Sequence, residues 1–202
     1  MVALAPAAMA PSPLPAVDQV WTWLAEVPDP EIPVLSIVDL GIVRGVAWRD
    51  VDGRAQCVVT VTPTYSGCPA TEAIADSIVA ALNEHGIADV RLETRIAPPW
   101  TTDWLSDAAK DKLKAYGIAP PAPGVAPPTH GSTPAGPGLG PPAQQVIAVG
   151  AIGRGRRADA IVECPRCGST NTRCTSPFGS TPCKAMYRCL ECLEPFDYFK
   201  CH

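Results

Sequence analysis

The chain has 202 residues, 20 Asp and Glu against 16 Lys and Arg for a net charge of −4, and nine cysteines. That length accommodates one ordinary domain plus a small one, and no apolar run approaches the about 18 residues of a membrane span. The charge is split: residues 1–117 hold 15 acidic against 8 basic side chains (−7), and residues 118–202 hold 5 against 8 (+3). Sequence-independent nucleic-acid binding needs clustered Lys and Arg, so this balance argues against it. Only Arg154, Arg156 and Arg157 cluster, and they read as the solvated end of a linker. An odd cysteine count without a signal peptide argues against a disulfide framework and for a reducing, cytoplasmic setting.

Residues 1–15 carry no Lys or Arg and are broken by Pro6, Pro11, Pro13 and Pro15, the composition of a disordered tail. Val17, Val20, Trp21 and Leu24 recur at helical spacing until Pro28, and Asp29-Pro30-Glu31-Ile32-Pro33 follows as a stiff turn. Gly41 to Arg49 and Arg54 to Thr62 read as two strands joined through Asp50-Val51-Asp52-Gly53, a hairpin signal. Cys57, Val59 and Val61 share one face of the second strand, which makes Cys57 a small core residue. After Cys68-Pro69 an amphipathic helix runs to about His85, with Ala70, Ala73, Ile74, Ile78, Ala81 and Leu82 as its buried stripe. Val90, Leu92 and Thr94 alternate as a third strand, and Asp103 to Tyr116 reads as a last helix closed by Gly117. The expected first domain, residues 16–117, is an α+β two-layer fold of about three strands and three helices. Residues 118–160 form a linker: from Ala119 to Pro142 there are nine prolines, five glycines and no charge, a composition that cannot bury enough surface to order itself.

Residues 161–202 hold two Cys-x-x-Cys pairs, Cys164/Cys167 and Cys189/Cys192, with 21 residues between them. Each pair chelates one side of a tetrahedral ion, so together they predict a Cys₄ β ribbon, with zinc in a closed shell as the expected metal. Cys174, Cys183 and Cys201 exceed what one ion needs and read as core thiols or transient ligands near it. In the first domain the sharpest site is Thr64-Tyr65-Ser66-Gly67-Cys68-Pro69. Pro69 suits the first helical position, which puts Cys68 at the N-cap, facing orphan amide donors and the positive end of the helix dipole. Both favour the thiolate, so Cys68 is expected to be more acidic than a free cysteine and able to ligate or transfer metal. Asp29 and Glu31 can bind a cation, although two acids in a turn are commonly only solvated. His85, His130 and His202 read as bystanders, which removes the usual base of a Cys–His hydrolase.

These motifs resemble the MIP18 (DUF59) family of iron–sulfur assembly factors over residues 17–117, through Asp29–Pro33, Val38-Asp39-Leu40-Gly41-Ile42-Val43 and Thr64–Pro69. The Pro-rich linker and the tail Phe178-Gly179-Ser180-Thr181…Cys183-Lys184…Tyr187-Arg188-Cys189…Pro195-Phe196-Asp197-Tyr198-Phe199-Lys200-Cys201 resemble the branch that accompanies the multicomponent phenylacetyl-CoA epoxidase of aerobic phenylacetate catabolism. The resemblance implies a functional cluster of Asp29, Glu31, Thr64 and Cys68, with Cys68 as the reactive thiol. It also implies Cys164, Cys167, Cys189 and Cys192 as a structural metal set.

The leading expectation is therefore a maturation factor without catalytic activity of its own. It would hold iron or an iron–sulfur cluster transiently at Cys68, and its partners would be the epoxidase subunits or iron–sulfur assembly proteins. A stoichiometric epoxidase subunit with a rubredoxin-like electron-transfer site is the alternative, and a nucleic-acid-binding regulator is a third reading. Whether two chains pair through an exposed sheet edge stays open at this level.

Overall fold

A computed structural model describes residues 14–65, 67–121 and 161–200. The described residues fall into two compact units, 14–62 with 69–95, and 63–68 (Ser66 aside) with 96–121 and 161–200. The architecture is α+β, three α-helices with a three-stranded and a four-stranded sheet.

In the first unit, α1 (Val17–Leu24) buries Val20 and Leu24, one turn apart. Strands β1 (Val43–Val51) and β2 (Arg54–Val61) form an antiparallel hairpin in which Val51 faces Arg54. The two turn residues, Asp52 and Gly53, both have positive φ (53° and 78°), the left-handed pair that matches strand twist in a tight hairpin. Asp50 reinforces it, accepting from the Gly53 N–H through Oδ1 at 2.9 Å. Helix α2 (Ala70–Glu84) buries Ala70, Ile74, Ile78 and Leu82 at intervals of four, while Ala73 of the expected stripe is exposed. Strand β3 (Val90–Thr94) then pairs parallel to β2, which leaves β2 in the centre of a mixed sheet. Its central position explains why Cys57, Val58 and Val59 are all buried instead of alternating.

The second unit departs from the expected boundaries. The expected helix over Asp103–Tyr116 is divided into a 3₁₀ turn (Thr102–Trp104) and α3 (Asp107–Tyr116). Ser106 is the reason: its Oγ accepts from the Ala109 N–H at 3.1 Å, a side-chain cap that starts the helix four residues later than composition suggests. Gly117 closes α3 in the left-handed region (φ 93°), as expected. Ile118 and Ala119, assigned above to the linker, form strand β4 (Ile118–Ala119) beside β7 (Pro195–Phe199). With β5 (Thr172–Ser176) and β6 (Lys184–Cys189) they make a sheet of order β4-β7-β6-β5. Trp100 meets Phe199 edge-on at 6.0 Å, and Lys114 pairs with Glu163 at 2.9 Å. Segment 96–121 thus packs with the ribbon, and a domain drawn to end at Gly117 cuts through this unit. The expected tail before Leu14 and the linker after Pro121 lie outside the described residues.

Candidate metal centre and thiol site

Two tight turns build the four-cysteine centre. In the first, Cys164 accepts from the Gly168 N–H (2.9 Å) and donates its own N–H to Ser169 (2.9 Å), with Gly168 at φ 77°. In the second, Cys189 ends β6, its N–H bonds to the Glu194 carbonyl at 3.0 Å, and Leu193 takes φ 65°. The residue after each pair therefore sits in the left-handed region, which glycine adopts freely and leucine does not. Asn171 holds the turns together: its carbonyl accepts from the Leu190 N–H (2.8 Å) and its side-chain amide donates to Glu191 (2.7 Å). Thr172 completes the tie through its hydroxyl, which donates to the Val162 carbonyl at 2.7 Å.

The four ligand atoms lie within 4.8 Å of one another, with Cys164–Cys192 at 3.8 Å and Cys167–Cys189 at 3.5 Å. Sulfurs tetrahedral about a metal at about 2.3 Å would be separated by about 3.8 Å, so the spacing fits a bound ion. Cys164 and Cys189 are buried while Cys167 and Cys192 are exposed, which gives the centre one protected and one solvent-facing side. The Cys192 N–H, directed at Cys189 Sγ from 3.4 Å, is the main cause lowering that thiol to about 7. Cys192 is pushed up to about 12: the Glu194 N–H lowers it, but desolvation and the Cys189, Cys167 and Cys164 sulfurs outweigh that. Cys167 is raised as well, because the Cys189 sulfur and burial outweigh the Ser169 N–H. A bound cation would offset the mutual repulsion of thiolates held this close.

Beneath the centre, Tyr187 stacks on Phe196 (5.9 Å) and meets Tyr198 edge-on (5.5 Å), with Ala119, Val162 and Ala185 filling the same core. That core is small, so a bound ion carries much of the folding of this segment. Cys183 is not a neighbour of the centre. It precedes β6 whereas Cys189 ends it, a separation of six residues or about 20 Å along a strand. Cys183 is buried, with the Thr181 hydroxyl 3.0 Å from its sulfur, and Cys174 is half-buried against the core. Both are packing thiols, and Cys201 lies outside the described residues.

The tail motif also has a structural meaning that the sequence reading missed. The loop before β6 folds against the sheet at Gly179, whose N–H donates to the Lys184 carbonyl at 2.7 Å. A Cβ there would meet Lys184 and Asp197 atoms at 3.2 Å. Lys184 is buried and pairs with Asp197 at 3.6 Å, while Lys200 donates to the Pro177 carbonyl and sits over the Phe178 ring.

Cys68 stands apart from these thiols. It is half-buried and unbridged, and it follows the exposed Gly67 (φ 88°). Hydrogen bonding places the start of α2 at Ala70, which makes Pro69 the capping residue in place of Cys68. Pro69 itself already has helical dihedrals (φ −66°, ψ −23°), so Cys68 immediately precedes the helical backbone. Thr64 is half-buried in the same stretch. In the first unit, Asp29 is buried and its Oδ1 accepts from the Glu31 (2.9 Å) and Ile32 (2.8 Å) N–H groups. Its own N–H donates to the Leu35 carbonyl at 2.9 Å. Asp29 therefore shapes its loop, a role that the spacing of two acids does not reveal, and it presents Glu31 half-buried beside it. Of the histidines, His85 stacks on Trp23 at 4.1 Å, and the other two lie outside the described residues. No helix among the described residues is long and apolar enough to cross a membrane.

Comparison with known proteins divides the chain similarly. Residues 17–92 match the family described as "Iron-sulfur cluster assembly protein", and residues 151–200 match "PaaD zinc beta ribbon domain". The chain is 43% identical over 187 residues, 93% of its own length and 94% of the relative's, to a subunit of the "Putative 1,2-phenylacetyl-CoA epoxidase" of Escherichia coli (strain K12). It is 39% identical over 86 residues to "Fe-S protein maturation auxiliary factor SufT" of Staphylococcus aureus (strain USA300), covering 42% of this chain and 93% of that one. A crystal structure of a DUF59 domain of unknown function from Bacillus anthracis is 28% identical, with a TM-score of 0.43, over 48% of this chain and 90% of that one.

Proposed function

Because the chain belongs to the family of this Escherichia coli epoxidase component, we propose that it is an accessory maturation factor. It serves the iron–sulfur or di-iron centres of 1,2-phenylacetyl-CoA epoxidase and has no catalytic activity alone. The observation that carries this reading is Cys68, an unbridged, half-buried thiol outside the four-cysteine centre and inside the part matched to iron–sulfur cluster assembly. A thiolate there offers a soft ligand to iron, and the Thr64 hydroxyl of the same stretch offers a harder oxygen donor. Iron or a cluster held at Cys68 leaves by ligand exchange, without redox change, when a client presents a better-organised site. Resident zinc at Cys164, Cys167, Cys189 and Cys192 supplies folding energy and, with all four positions taken by thiolates, no open coordination site. All eight described cysteines are free thiols, in keeping with the reducing cytoplasm.

The test is Cys68→Ser co-expressed with the epoxidase subunits. We expect a folded, zinc-loaded variant and an epoxidase deficient in iron; fully metallated, active epoxidase from those cells would refute the proposal. The relative's name as a subunit supports a second reading, a stoichiometric component whose four thiolates hold an electron-carrying iron. Red protein that bleaches on reduction would favour it, and colourless protein containing zinc would eliminate it.

A further inference from the structure

The ribbon sheet carries a feature that metal binding does not use. In the β5–β6 register Arg173 lies directly opposite Arg188, and both side chains are exposed. Directly opposite residues have Cβ atoms about 5 Å apart, where like charges destabilise the pairing. Among the described residues neither guanidinium has a carboxylate partner; Asp107, Glu163 and Asp197 of this unit pair with Lys110, Lys114 and Lys184. Glu191, the acid of the second metal turn, is directed to Asn171. Arg188 is steadied by its Nε donating to the Leu193 carbonyl at 3.3 Å. Met186, two residues away on the same face of β6, is exposed, as is Leu193.

A basic residue on β5, an edge strand, would by itself only discourage edge-to-edge pairing. Arg188 is on β6, an interior strand, where that function does not apply. Two guanidiniums without carboxylate partners facing the same way form a receptor for paired oxyanions, and the exposed apolar side chains beside them suit a protein surface. A polyanionic nucleic acid is disfavoured by the −7 of residues 1–117 and by the two net negative charges that four thiolates leave on a divalent ion. We propose that the Arg173–Arg188 face docks an acidic patch, a carboxylate pair beside apolar surface, on the epoxidase subunit whose centre is being assembled. This deepens the maturation reading and rests on it.

The experiment uses full-length chains co-expressed with the epoxidase subunits: wild type, Arg173→Glu, Arg173→Glu/Arg188→Glu and Cys68→Ser. Arg173→Glu places a carboxylate opposite Arg188, so the melting temperature of the metal-loaded protein should hold or rise. Capture by the epoxidase subunits should nevertheless fall at least tenfold, and wild-type capture should weaken with salt. The double variant should fail to dock, and Cys68→Ser should dock like wild type. Capture of the double variant within twofold of wild type, or no capture of wild type, would overturn the docking face. So would duplex DNA or RNA binding that vanishes with Arg173→Glu. Fully loaded epoxidase with Cys68→Ser would sink the maturation reading whatever the arginine variants do.

Discussion

Acid should release the ribbon metal cooperatively, with a proton count fixed by the thiol environments. Cys189 loses its proton near 7, whereas Cys192 is held up to about 12 and Cys167 is raised from the ordinary thiol range. At pH 7 the incoming ion must therefore displace one proton each from Cys192 and Cys167 and half of one from Cys189, about 2.5 as a lower bound. Each displaced proton makes apparent metal affinity fall tenfold per pH unit, so affinity should drop by more than a hundredfold between pH 7 and 6. Below pH 6, where Cys189 is protonated as well, the dependence steepens to about three protons per metal. The sign follows from the bound state: metal holds the thiols far below their unfolded values, so stability is present at high pH and lost as pH falls. Structural zinc contributes about 10–16 kcal/mol near neutrality, and a loss of two to three protons' worth of affinity per pH unit should exhaust it in acid. The assay is a titration of the zinc-loaded chain from pH 8 to 3 with a chromogenic chelator, followed in parallel by near-ultraviolet circular dichroism. Metal release should coincide with the loss of aromatic packing around Tyr187, Phe196 and Tyr198. Stoichiometric metal still bound at pH 3, or a release slope below two protons, would refute the reasoning.

Two further outcomes concern the same unit. Leu193 sits at φ 65° with its side chain exposed, so Leu193→Gly should relieve left-handed strain and stabilise the metal-loaded ribbon by about 1 kcal/mol. Differential scanning calorimetry should show a melting temperature several degrees higher, and a fall would show that Leu193 makes a contact worth more than the strain. Asp197→Ala strands the Lys184 ammonium, whose side chain is only 9% exposed; it should cost about 2–4 kcal/mol, less than a fully buried pair because Asp197 reaches solvent. A melting temperature within two degrees of wild type would count against that pair.

Local chemistry was legible in the sequence where a residue type determines its own conformation. The turn in Asp50-Val51-Asp52-Gly53 and the stop at Gly117 are legible from glycine and its neighbours, and Asp52, Gly53 and Gly117 all have positive φ. The two Cys-x-x-Cys pairs likewise announced a centre whose sulfurs lie at tetrahedral spacing. What could not be read depends on partners distant in sequence. Nothing in Ile118-Ala119 signals a strand; the pair becomes one because β7 offers an open edge beside it. Leu193 carries no signal of its left-handed backbone, which the second metal turn imposes on it. Nor does the sequence reveal that Asp29 Oδ1 serves the backbone N–H groups of Glu31 and Ile32.

The arginine pair is the clearest case, because register alone creates it. Arg173 and Arg188 are separated by the loop between β5 and β6, and nothing in either neighbourhood marks them as a pair. They meet because Thr172 faces Cys189 in the ladder. Cys189 is held by the metal turn, and Thr172 is tied to Val162 beside the first turn. A slip of one residue would carry Arg188 away from Arg173 and move it to the opposite face of the sheet. The ion that folds the ribbon thus also sets the register of its outer surface. On this argument, metal loss should abolish docking as completely as the Arg173→Glu/Arg188→Glu double variant does.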